Sequence, residues 1–117
     1  MNSTHLPKHG ELNIYTDGSK MADNRVGAAY VFYEVNKKVK EDKCRLPPHS
    51  TVFQAEIKAI LEAAIVLSDS NDYKYVRFFI DSQAAIKALG SRKITSKLVH
   101  NTIQRLNEVA KNIDILL

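Results

Sequence analysis

Three acidic residues stand where a fold would not place them for comfort: Asp17, Glu56 and Asp81. Asp17 closes a segment in which Leu12, Ile14 and Thr16 alternate with Asn13 and Tyr15. Asp81 follows the apolar run YVRFFI. Glu56 falls inside the helical-period stripe Phe53, Ile57, Ile60, Ala63, Ala64 and Leu67, while Lys58 and Glu62 lie opposite. A carboxylate facing a core costs free energy unless it is paired or bound to metal, and no lysine or arginine shares that stripe. Each acid also has an ordinary reading. Asp17-Gly18 reads as a turn, Asp81 before Ser82 as a helix cap, and Glu56 as a residue at the stripe's edge or one complementing the helix dipole. Convergence of the three would select a different chemistry. Like charges repel and raise each other's pKa unless a cation compensates. Oxygen donors alone favour hard ions such as Mg²⁺ or Mn²⁺. Two such ions roughly 4 Å apart can activate water and stabilise a leaving oxygen in phosphodiester cleavage.

The elements that must position these acids follow from periodicity. Alternation over 12–17 predicts a strand, followed by the turn signal Asp17-Gly18-Ser19-Lys20. Segment 26–35 is rich in β-branched and aromatic residues and predicts a second strand. A hairpin turn at Asn36-Lys37-Lys38 leads to a third strand over 39–46, which Pro47-Pro48 ends. The period then changes, and Ser50 or Thr51 can cap a helix running to about Ser68. After a polar loop over 69–72, segment 75–80 reads as a buried strand. Ser82 can cap a short helix through Leu89, with Gly90 in the C′ position. Segment 95–111 is amphipathic, with Leu98, Thr102, Leu106 and Val109 on one face. Residues 113–117 read as a last strand. The order β-β-β-α-β-α-α-β predicts an α/β fold: a mixed five-stranded sheet, antiparallel through its first three strands and then parallel, with flanking helices. If the strands ending at Asp17 and Asp81 are parallel neighbours, both carboxylates emerge at one C-terminal edge. Open α/β sheets bind ligands there, and adjacent strands are only about 4.8 Å apart.

The chain has 117 residues, enough for one domain. Residues 1–10 read as a flexible leader and 11–117 as the domain. The first residues lack the apolar core of a secretory signal, and no apolar run approaches the roughly 18 residues of a membrane span. Cys44 is the one cysteine, so an intrachain disulfide is excluded. These features favour an intracellular, reducing setting, nucleus or cytoplasm, without membrane association. The net charge of +4 and pI of about 9.2 are compatible with a polyanionic partner. The basic residues form two groups: Lys37, Lys38, Lys40, Lys43 and Arg45, then Arg92, Lys93 and Lys97. Both also read as solvated surface, and lysines additionally protect an edge strand from pairing. His5, His9, His49 and His100 all read as surface residues.

The blocks IYTDGSK, VFQAEIKAILEA and FFIDSQAAIKAL, in this order, resemble ribonuclease H of type 1. They are most similar to the domains attached to reverse transcriptases of non-LTR retrotransposons, and the resemblance spans about 11–117. It implies an endonuclease that cuts the RNA strand of an RNA/DNA hybrid with Mg²⁺ or Mn²⁺, two ions in the complete site. By the same resemblance Asp17, Glu56 and Asp81 are the catalytic metal ligands. Gly18 and Ser19 are the turn facing metal and substrate backbone, and Gln54 and Ser82 are neighbours of the hybrid.

The chain departs from the family pattern in two ways. The family continues past the last strand into a histidine-bearing loop and a helix with a fourth acidic ligand, whereas this chain ends at Leu117. Asp114, inside the last strand, does not match that fourth position. The long basic protrusion of some cellular members is also lacking. The expectation is therefore an incomplete site with impaired turnover and a sheet face left for a partner, such as a parent reverse transcriptase. The alternative is a domain that binds nucleic acid without cutting it, or a decayed retroelement fragment. A phospho-receiver site would need paired acids after the first strand. An adhesion-type metal site would need a serine where Met21 stands.

Overall fold

The computed structural model describes residues 11–69, 73–90, 96–110 and 114–116. Three strands come first: β1 (Glu11–Lys20), β2 (Val26–Glu34) and β3 (Lys37–Leu46). Helix α1 (Val52–Ser68), strand β4 (Tyr75–Ile80), helices α2 (Gln83–Gly90) and α3 (Lys97–Ala110), and strand β5 (Asp114–Leu116) follow. The strands form one five-stranded sheet in the order β3-β2-β1-β4-β5. The β1–β2 and β2–β3 pairs are antiparallel, and the β1–β4 and β4–β5 pairs are parallel. This is the mixed sheet that the element order implies. Residues 1–10, Arg92 and Lys93 lie outside the described residues, so the leader and two of the three residues of the second basic group are not placed.

Two turns differ from expectation. Residues Asp17 to Lys20 continue β1 and pair with β2, from Asp17 beside Ala29 to Lys20 beside Val26. The chain reverses instead over residues 21–25, where Met21 N–H donates to Arg25 O, Asn24 takes a positive φ of 67° and Asp23 pairs with Arg25 at 2.8 Å. The local Asp-Gly signal yields to ladder pairing because β2 offers a full set of partners. The second hairpin turns at Val35-Asn36, since Glu34 is already paired with Lys37. Val35 has a φ of 63°, a conformation that β-branched residues rarely adopt, so composition alone points away from this turn.

The helix starts are well specified. Thr51 and Gln54 form a capping box: Gln54 N–H donates to Thr51 Oγ1 at 3.0 Å, and Thr51 N–H donates to Gln54 Oε1 at 2.8 Å. Ser82 caps α2 through Ala85 N–H at 3.1 Å, and Ser96 caps α3 through Val99 N–H at 3.2 Å. Gly90 closes α2 rather than lying beyond it. Among the described residues no helix is long and apolar enough to cross a membrane.

Strand alternation then sorts the sheet into two faces. Leu12, Ile14, Tyr30, Phe32, Val76 and Phe78 are buried against Ile57, Ile60, Ala63, Ala64 and Leu67 of α1, with Val99, Leu106 and Val109 of α3 in the same core. The other face carries Tyr15, Tyr33 and Phe79. Tyr15 stacks on Phe79 at 4.7 Å between ring centroids, and Tyr33 meets Tyr15 edge-on at 5.7 Å.

One contact sets the distance between β1 and α1. A Cβ added at Gly18 would lie 2.5 Å from Glu56 N and 2.7 Å from the Ala55 carbonyl carbon, so only glycine allows this approach. At Gly27 the nearest atom to an added Cβ is 3.5 Å away, an ordinary contact. Gly18→Ala is therefore expected to lose about 2–3 kcal/mol in urea unfolding, as overpacked cores do. Gly27→Ala should remain within about 0.5 kcal/mol of wild type in the same measurement.

Candidate functional site

The site forms where β4 stops and β1 does not. The parallel ladder ends with Thr16 beside Ile80, leaving Asp17 and Asp81 as the next residues on neighbouring strands. Both are exposed. Beyond this point β1 has no β4 residue beside it, and α1 passes directly over Gly18. The backbone N–H of Gly18 donates to the Glu56 carboxylate. Glu56 lies in the fifth position of α1, past the first turn, and is 8% exposed. That position removes the reading of Glu56 as a first-turn residue complementing the dipole. Asp17, within a strand, is no turn former. Ser82, not Asp81, supplies the side-chain cap of α2.

Burial, above all, pushes the Glu56 carboxyl up from its ordinary pKa, opposed in part by the Gly18 hydrogen bond. The negative charges of Asp17 and Asp81 push it further in the same direction. Glu56 thus senses both aspartates, although it comes from the helix layer and Asp17 from a strand position on the opposite face. No cation contributes to the shift. Glu56 Oε2 is buried and has no hydrogen-bond partner. A buried, unpartnered carboxylate oxygen within the field of two further carboxylates has the chemistry that suits a hard divalent cation. Among the described residues, no three His, Cys, Asp or Glu side chains are already gathered into an ion cage.

Of the other residues singled out in the sequence, Gly18 and Ser19 follow Asp17 on β1 and Ser82 follows Asp81. Ser19 is exposed on the face that carries Asp17. The two line a concavity of about 370 Å³ whose floor is Gly27 and Ala29 and whose far wall is Lys43 and Arg45. Register places Lys43 beside Ala29 and Arg45 beside Gly27, so both cations share the Asp17 face. Sequence grouping had merged these two with Lys37, Lys38 and Lys40; register places Lys37 beside Glu34 and Lys40 beside Phe32 on the opposite face, while Lys38, beside Tyr33, stays on the Asp17 face. Lys38 pairs with Glu41 at 3.2 Å. Gln54 is exposed, with its carbonyl oxygen held by the capping box and its amide NH₂ left to donate. His49 and His100 are exposed. Cys44 is half-buried, and burial raises its thiol pKa, which disfavours the thiolate. Asp114 pairs with Tyr75, at the end of β4 remote from Asp81.

The raised Glu56 value has a pH consequence. The folded chain binds this proton more tightly than the unfolded chain, whose carboxyl titrates near ~4.3. As pH rises from there through the higher folded value, the folded state holds the excess proton, so stability falls. Glu56→Gln keeps an acceptor for Gly18 and removes the charge. In chelator it should unfold at a higher temperature than wild type at pH 7, and the gap should close at and below about pH 4. A constant gap across that range would contradict the assignment.

The fold has known counterparts. Ribonuclease H1 of the archaeon Halobacterium salinarum superposes with a TM-score of 0.70 at 21% identity, covering 92% of this chain and 82% of that one. The N-terminal RNase H domain of Rv2228c from Mycobacterium tuberculosis, solved as a maltose-binding-protein fusion, gives 0.72 at 14% identity, covering 92% and 78%. LC11-RNase H1, solved in complex with an RNA/DNA hybrid, gives 0.58 at 15% identity, covering 90% and 81%. No curated protein matches the chain significantly by sequence. The family model for RNase H matches residues 9–116, nearly the whole chain, and proteins of that family generally use divalent metals. With the mixed sheet and three acids at the β1–β4 notch, the match identifies the chain as a member of the RNase H family.

Proposed function

We infer that the chain is a ribonuclease for RNA/DNA hybrids, cutting phosphodiester bonds within the RNA strand with the help of divalent metal on Asp17, Glu56 and Asp81. The observation that carries this reading is Glu56, a carboxylate 8% exposed whose Oε2 lacks a partner beside two like charges. Such a group is stable only when protonated or when a cation offsets it. The all-oxygen donor set favours Mg²⁺ or Mn²⁺, with two ions in the complete family site. Bound metal supplies a polarised water for attack and offsets charge on the leaving oxygen.

The chain's own residues do the remaining work. Gly18 N–H orients Glu56 toward the notch. Asp17 and Asp81 offer exposed oxygens from the ends of a shared ladder. Lys43 and Arg45 attract backbone phosphates to the Asp17 face. Ser19, Ser82 and the free NH₂ of Gln54 can donate to the sugar-phosphate backbone. The 2′-hydroxyl is the group by which such contacts distinguish RNA from DNA. Hybrid as substrate is supported by LC11-RNase H1, which was solved with one. The likeness of the three sequence blocks to retrotransposon-borne domains supports a reverse transcriptase as the parent or neighbouring protein.

Cleavage of an end-labelled hybrid tests this reading. Wild type should cut only the RNA strand, only with Mg²⁺ or Mn²⁺, and lose activity in chelator. Asp17→Asn, Glu56→Gln and Asp81→Asn should each lower the rate at least about a hundredfold, or about 2.7 kcal/mol of transition-state stabilisation. Equal residual activity in wild type and Asp17→Asn would mark a contaminating nuclease and remove the enzyme reading. Salt-sensitive hybrid binding without cleavage would leave the alternative, a non-cutting binding domain.

A further inference from the structure

Two buried side-chain oxygens lack a hydrogen-bond partner among the described residues: Glu56 Oε2 and Thr16 Oγ1. Thr16 is 7% exposed. Buried hydroxyls without a partner are rare, because desolvation of the group is then uncompensated. Thr16 and Gly18 are two positions apart on β1, so they face the same side, about 7 Å from each other. That side is the one α1 covers, and Gly18 N–H is bonded to Glu56. Asp17 lies between them on the opposite face. The other polar group near Thr16 on the covered side is Tyr30, its partner across the β1–β2 ladder. Tyr30 lines, with Asp42, Cys44 and Glu62, a separate concavity between β3 and α1. Ile80, beside Thr16 on β4, is apolar. Glu56, which the Gly18 backbone meets on this covered side, carries the other buried oxygen without a partner.

We propose that Thr16 is a positioning residue for Glu56, its hydroxyl holding one buried water against Glu56 Oε2. A buried water needs at least two polar partners, and these two oxygens supply them. The link satisfies both orphans and keeps the carboxylate aimed at Asp17 and Asp81. It acts on metal binding through Glu56, and in that respect it rests on the metal reading above.

Thr16→Val and Thr16→Ser in the full chain test it, by thermal unfolding in chelator and by calorimetric titration with Mn²⁺ alone. Valine matches threonine in shape, so deleting a hydroxyl that truly has no partner would leave stability unchanged or raise it. With the water link, Thr16→Val should instead lower Tm by roughly 4 °C in chelator. It should also weaken Mn²⁺ binding about tenfold, as loss of a group supporting a metal ligand does. Thr16→Ser should bind Mn²⁺ as wild type does. A Tm for Thr16→Val at or above wild type overturns the proposal, and so does unchanged Mn²⁺ affinity. If wild type itself binds no Mn²⁺, the metal reading fails, and the unfolding comparison in chelator alone decides the Thr16–Glu56 link.

Discussion

The approach of β1 to α1 at Gly18 governs the arrangement of everything chemical in this chain. A strand and a helix normally keep side chains between them. Here a missing Cβ lets strand backbone reach helix backbone, with Glu56 N within 2.5 Å of where that Cβ would lie. The consequence is positional. Glu56 comes from the helix layer and Asp17 from the opposite face of β1, so in an ordinary sheet the strand would separate them. Close approach at Gly18, combined with the end of β4 one residue before Asp81, opens a notch in which the two layers communicate.

The notch is held by forces that oppose folding as well as by forces that favour it. Burial of Glu56 disfavours its charge, and two further carboxylates add to the penalty. The Gly18 hydrogen bond offsets only part of it. The apolar core beneath carries the difference. Ile14, Ile57, Ile60, Ala63 and Phe78 are nearly or fully removed from solvent, and α1 is anchored at its start by the Thr51–Gln54 capping box. A site that repels itself is thus built on the best-packed part of the molecule. Functional sites commonly carry such local cost, met by surrounding structure that leaves no cheaper arrangement.

The two faces of the sheet divide the labour. The helix-covered face makes the core. On the other face Tyr15, Tyr33 and Phe79 form a cluster, and Asp17, Ser19, Lys43 and Arg45 line a concavity, with Tyr15 two positions before Asp17 on β1. Positive charge on β3 therefore lies two strands from the carboxylates. The geometry separates attraction of a polyanion from the acids that would otherwise repel it.

Much of this was legible in the sequence, because each element reads from its own residues. Alternation marks β1, β-branched and aromatic composition marks β2, and an apolar run marks β4; the 3.6-residue stripe marks α1 and α3; Thr51 and Ser82 mark helix starts. Those signals are local, as is the conflict of a glutamate within an apolar stripe that singles out Glu56. The hairpin positions were not legible. Asp17-Gly18 has turn chemistry but continues β1, and Val35 lacks turn chemistry yet turns, because ladder register with β2 and β3 outweighs the preference of two or three residues. Nor could spacing reveal that Lys43 and Arg45 share a face with Asp17, or that Thr16 lies buried on the side of Glu56. Sequence alone determined which residues form elements and which acids are out of place, since propensity and periodicity act over short range. Tertiary structure decided that Glu56 lies within electrostatic reach of Asp17 and Asp81, since that depends on strand order, on where β4 ends, and on a backbone contact between residues far apart in the chain.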